Sequence, residues 1–129
     1  MVPVSKLTML QVETPWQEVV RVVASSPFSR LPVYRNGPQD IIGTLRVKDL
    51  VYHYVISGQS SPLETLVRPV VRVPATLPAD RVISLLRERR VHQAVVTDNA
   101  DQVVGLVTIQ DVLGAFLDPA AGRTEEVTS

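Results

Sequence analysis

SRLPVYRNGPQDIIGTLRVKDLV, residues 29–51, lies without a gap over VHQAVVTDNADQVVGLVTIQDVL, residues 91–113. Val33, Gly43 and Asp49 fall on Val95, Gly105 and Asp111. The apolar positions Ile41, Ile42, Leu45, Val47, Leu50 and Val51 all fall on apolar partners. Three identities carry little by themselves. The shared apolar pattern is what makes the chain a tandem repeat, and a repeat fixes the fold class before any single element is assigned.

Each copy reads in the same order. A strand-like opening segment comes first, residues 7–12 in one copy and 70–73 in the other. A helix follows. Thr14-Pro15-Trp16-Gln17 has the form of a capping box, with Thr14 as N-cap and Pro15 at the first helical position, and Val19, Val20, Val23 and Ala24 form an apolar stripe behind it. The second copy predicts a helix over 79–90 with Val82, Ile83, Leu85 and Leu86 inward. Asp80 stands near its start and Arg87, Arg89 and Arg90 at its end, as the helix dipole favours.

Two β-branched runs come next, 31–34 with 41–47 and 93–97 with 103–109, separated by turns at Asn36-Gly37-Pro38 and Asp98-Asn99. A last helix closes each copy, over 48–56 before Gly58 and over 109–117 before Pro119. Ser61-Pro62-Leu63-Glu64 has capping-box form for a short connecting helix. The expected division is 1–58 and 70–118 for the repeats, 59–69 for the connection, and 119–129 for a polar, frayed tail. One β-α-β-β-α copy has little apolar surface of its own. The expected fold is therefore α/β, with the two copies sharing a core as a pseudo-twofold module and leaving clefts where they meet.

Thirteen basic and thirteen acidic residues cancel, so no net field draws nucleic acid. There is no cysteine, which excludes disulfides, thiol catalysis and thiolate metal sites. No apolar run approaches the roughly 20 residues needed to span a bilayer, and no signal-peptide pattern is present. The two histidines, His53 and His92, stand in no metal-ligand spacing, and no nucleophile–base constellation or phosphate-cradling glycine loop appears. The sequence therefore predicts no catalytic residue and no metal site.

Thr108 and Asp111 are three apart at a predicted helix start. Two readings stay open. The Thr hydroxyl and the Asp carboxylate can simply cap the helix. The same geometry can hold a ligand, with phosphate drawn to the helix start and a ribose diol to the carboxylate. The first copy has Arg46-Val47-Lys48-Asp49 at the matched place, and Arg46 cannot cap as Thr does. Arg30 and His92 stand at matched positions, each opening the second strand of its copy. Trp16 reads as a packing residue rather than a stacking platform.

Gly105-Leu106-Val107-Thr108-Ile109-Gln110-Asp111 resembles the closing element of CBS (cystathionine β-synthase) domains, and Gly43 with Asp49 keeps the frame in the first copy. Met1-Val2-Pro3, residues 29–34, Val47-Lys48-Asp49-Leu50, Arg68-Pro69 and Val73-Pro74 further resemble the CBS pair of CorC/hemolysin-type magnesium and cobalt efflux proteins. That resemblance implies a regulatory module binding ATP, ADP or AMP, with or without magnesium. Asp111 would hold the ribose, Thr108 the phosphates, His92 would line the same cleft, and Pro3, Leu7 and Thr8 would contact the base. A second cleft would use Asp49, Arg30, Arg46, Val70 and Val73, with nucleotide binding weakened by the arginine at 46. The family also implies a homodimer and a transmembrane domain elsewhere in the full-length protein, with the module on the cytoplasmic side. A structural dimerisation module without nucleotide is the alternative.

Overall fold

In each half of the chain a short strand is followed by a helix that returns the backbone to pair parallel with it, and a hairpin and a second helix complete the half. The computed structural model describes residues 2–3, 7–58 and 62–117. Its elements are β1 (Val2–Pro3), β2 (Leu10–Gln11), α1 (Trp16–Ser25), β3 (Arg30–Tyr34), β4 (Ile41–Arg46), α2 (Val47–Ser57), a 3-10 turn (Leu63–Leu66), β5 (Val71–Pro74), α3 (Ala79–Arg89), β6 (Gln93–Thr97), β7 (Val103–Thr108) and α4 (Ile109–Leu117). The expected α/β class and β-α-β-β-α order are both present. Backbone contacts divide the described residues into two units, 7–58 with 62–68, and 2–3 with 69–117.

One sheet runs β2-β3-β4 and the other β1-β7-β6-β5. The parallel pairs β2–β3 and β5–β6 each need a crossover, which α1 and α3 supply. The outer edge of each hairpin is covered by the same device. β1 pairs with β7 through Val2 opposite Leu106 and Pro3 opposite Gly105. Arg68 pairs with Thr44 of β4, with Thr44 N donating to Arg68 O at 2.9 Å and Arg68 N to Thr44 O at 2.8 Å. Covering an edge strand in this way removes a template for unwanted pairing.

Each unit has a buried apolar cluster of its own. Leu10, Val19, Leu31, Leu45, Leu50 and Leu63 form one cluster; Val73, Val82, Leu86, Ala94, Val96 and Val112 form another. Both helices of each repeat contribute to its cluster, Val19 and Leu50 in the first and Val82, Leu86 and Val112 in the second. Of the predicted α1 stripe, Val19 is buried and Val23 packs, but Val20 is 40% exposed and Ala24 is exposed. Trp16 and Val22 pack in their place, which rotates the buried face by about one residue.

The predicted capping box at Thr14 does not form. Its Oγ1 donates to Gln11 O at 2.6 Å, Pro15 becomes the N-cap, and α1 starts at Trp16. A residue before proline is held extended, and here its hydroxyl closes the preceding turn instead. The connecting turn likewise starts after Pro62, and Ser61 lies outside the described residues, as do Pro119 and the predicted tail. Gly58 ends α2 in the left-handed region at φ 68°, as its position after the helix predicted. Among the described residues no helix is long and apolar enough to cross a membrane.

Candidate functional site

The second repeat builds its candidate site at the junction of β7 and α4. Thr108 closes the strand and is 3% exposed. Its backbone N–H donates to Asp111 Oδ2 at 3.1 Å, and Asp111 N–H donates to Thr108 Oγ1 at 3.1 Å. This is a reciprocal capping box, so the structural reading of Thr-x-x-Asp holds. Ile109 N–H donates to His92 O at 3.0 Å and ties the helix start to the chain entering β6.

That cap does not exhaust Asp111. A carboxylate offers about four acceptor positions, and Oδ2 uses one. Oδ1 has no hydrogen-bond partner among the described residues. The side chain is half-buried at a cavity of about 270 Å³ whose walls include Val73, Leu77, Val82, Val96 and Val107. A carboxylate with an unused oxygen therefore borders an apolar pocket just below the roughly 300–1,000 Å³ range of small-ligand sites.

The other expected residues divide. Pro3 is brought opposite Gly105, close in sequence to Thr108. Val73 lines the cavity of Asp111. Val70 is half-buried and immediately precedes β5. Leu7 and Thr8 are half-buried ahead of β2, in the unit that carries Asp49. The His92 side chain does not line the cavity of Asp111. It borders a separate cavity of about 320 Å³ with Leu86, Arg87, Arg90 and Leu113.

Nor does His92 match Arg30. Register pairs Arg30 with Arg46 and Gln93 with Thr108, and likewise Val33 with Gly43 and Val96 with Gly105. The matched residues are therefore Arg30 with Gln93 and Val33 with Val96. The turn after β3 is one residue longer than that after β6, and both hairpins are irregular at that end, so an ungapped overlay slips by one along β3. Both matched side chains are buried, Arg30 at 6% and Gln93 at 3% exposure.

In the first repeat the cap is replaced by an ion cluster. Arg46 is the N-cap of α2 and makes no side-chain cap bond. Its Nε donates to Asp49 Oδ2 at 3.2 Å and its Nη2 to Oδ1 at 3.1 Å. Arg68 adds Nε to Oδ2 at 2.9 Å and Nη2 to Oδ1 at 3.3 Å. Asp49 thus accepts four N–H groups from two forks. Burial alone would raise its carboxyl pKa, but the hydrogen bonds and charges of Arg46 and Arg68 outweigh burial and hold it below the ordinary 3.8.

A carboxyl lowered in the folded state stabilises the fold above its unfolded value and stops doing so as pH falls through its folded value. Asp49→Asn is expected to cost about 1–2 kcal/mol at pH 7, discounted because the Arg68 side chain is half exposed. Denaturant midpoints of the two proteins should converge as pH falls below 3.8. A difference that persists unchanged in acid would contradict the ion-cluster account.

Sequence reasoning missed Arg68. A signal was available: Val67-Arg68-Pro69-Val70 repeats the pattern of Met1-Val2-Pro3-Val4. Arg68 and Val2 then occupy matched edge positions, opposite Thr44 and Leu106.

The CBS domain family matches residues 2–56 and 64–118. The magnesium and cobalt efflux protein CorC of Pasteurella multocida is 33% identical over 88% of this chain and 38% of that protein. The crystal structure of a CBS domain protein from Shewanella oneidensis MR-1 superposes with TM-score 0.78 at 32% identity, covering 92% of this chain and 94% of that one. The CBS domain of a bacterial CNNM/CorC family Mg2+ transporter, solved in complex with ATP, superposes with TM-score 0.75 at 28% identity, covering 91% and 83%. The chain spans 26% to 48% of the length of such curated relatives. With both repeats matched, the chain belongs to the CBS-domain family as a tandem pair, and it is similar to the CBS pairs of CorC-type proteins.

Proposed function

We propose that the chain is a regulatory module that binds an adenine nucleotide at the start of α4 and passes the resulting change to a membrane domain of a longer, magnesium- or cobalt-linked efflux protein. The observation that carries this reading is Asp111, with Oδ1 unused by the cap, in the wall of an apolar cavity. An apolar wall suits a purine face, and an ionised carboxylate oxygen suits a ribose diol, each O–H donating to it. The first turn of α4, with Thr108 beside it, suits phosphate. Pro3, opposite Gly105, is a proposed contact through the family resemblance, and the similar domain solved with ATP supports the choice of ligand class. Nothing in this role needs a catalytic step.

A second reading has its own support. α2 buries Leu50 but leaves Val51 53%, Tyr52 70%, Val55 71% and Ile56 67% exposed. Such a patch on a soluble surface marks an interaction face, and a second copy of the chain is the proposed occupant. Dimerisation and nucleotide binding are compatible; dimerisation alone is the alternative function. Calorimetric titration with ATP, ADP and AMP, with and without magnesium, separates them. Saturable heat with at least one nucleotide is expected. No heat with any of the three would leave the dimerisation reading.

A further inference from the structure

The two repeats present matched aspartates in opposite states. Asp111 receives one backbone N–H and keeps Oδ1 open. Asp49 receives four N–H groups, two on each oxygen, from Arg46 and Arg68. A carboxylate has about four acceptor positions, so Asp49 is saturated and carries two cations. A ribose diol brings two further O–H donors and finds no acceptor there. It would have to displace two bidentate forks, which are among the stronger side-chain hydrogen bonds.

Both arginines stand where the second repeat has residues without charge. Arg46 matches Thr108 in strand register, and Arg68 matches Val2 at the covered edge. Arg68 is also fixed from behind, because its backbone is paired both ways with Thr44. The carbonyl of Arg68 lies where a side chain on Gly43 would go, which holds that pairing close.

We infer that Arg46 and Arg68 are built-in occupants of the first repeat's carboxylate, so that the chain takes one nucleotide instead of two. This rests on the reading of Asp111 as the diol acceptor. It also makes these two residues, rather than the fold of the repeat, the determinants of how many nucleotides bind. Replacing them by the residues of the second repeat should open the blocked position.

The test is calorimetric stoichiometry with ATP on the whole chain and on the Arg46→Thr/Arg68→Val variant. One site per chain is expected for the parent and two for the variant, the second lost on adding Asp49→Asn. A folded variant, verified by its cooperative thermal transition, that still binds one nucleotide overturns the inference. Arg68→Ala alone guards against misfolding, since it keeps the backbone pairing and removes a half-exposed side chain. It should give a second site at least tenfold weaker than the first, and strictly unit stoichiometry there counts against the inference. In an Asp111→Asn background the two readings separate. Binding by the opened variant but not by its closed parent supports the block, whereas a parent chain that never binds ATP indicts the proposed function.

Discussion

Gly43→Ala is expected to destabilise the chain by roughly 3 kcal/mol and to lower Tm by roughly 10 °C. The glycine is buried in β4, and a Cβ there would overlap the carbonyl oxygen of Arg68 and Cγ1 of Val67. A flexible side-chain end could move aside cheaply, but a backbone carbonyl cannot. The Arg68 carbonyl accepts from Thr44 N–H, and the reciprocal bond runs from Arg68 N–H to Thr44 O. Relieving the overlap means lifting the segment off the edge of β4, which also withdraws the Arg68 guanidinium from Asp49. Loss of two backbone bonds, a bidentate pair and the edge cover therefore follows from one methyl group. Thermal unfolding measures it. A change below about 1 kcal/mol would mean that the pairing at Arg68 contributes little.

The second large effect is on binding. Asp111→Asn is expected to weaken nucleotide affinity by about ten- to a hundredfold, the equivalent of one or two charge-assisted hydrogen bonds. Asparagine is the informative replacement because its carbonyl oxygen can still accept the Thr108 N–H that Asp111 Oδ2 accepts now. The cap survives, while the open acceptor becomes a donor and the negative charge is lost. Stability should change by less than about 1 kcal/mol. Loss of affinity with an unchanged Tm separates a ligand-binding role from a capping one. Affinity that stays the same would leave Asp111 as a cap only.

Several features were legible in the sequence because they are local. The apolar pattern shared by residues 41–51 and 103–113 predicted the hairpins and closing helices to within a residue or so. The Thr108–Asp111 box formed as its spacing implied, since both partners lie in one turn. Features governed by longer-range geometry were not legible. A one-residue difference in turn length displaced the match of Arg30 from His92 to Gln93, and no residue type in β3 signals that slip. The Thr14 hydroxyl had two acceptable uses, and the proline after it selected the turn over the helix. Arg68 lies 19 positions from Asp49, and only the pairing of its backbone with β4 brings the two together. The contrast between a saturated and an open aspartate therefore needed coordinates, although the arginine at 46 had already marked the first repeat as the weaker site.

The most direct test of the central claim is a backbone amide NMR titration of the whole labelled chain with ATP. Saturable shifts are expected to be largest at Thr108, Ile109, Gln110 and Asp111, with Val73 and Val96 among the next affected and Val47–Asp49 nearly still. Shifts centred on Val47–Asp49, or no saturable shifts at all, would contradict the claim.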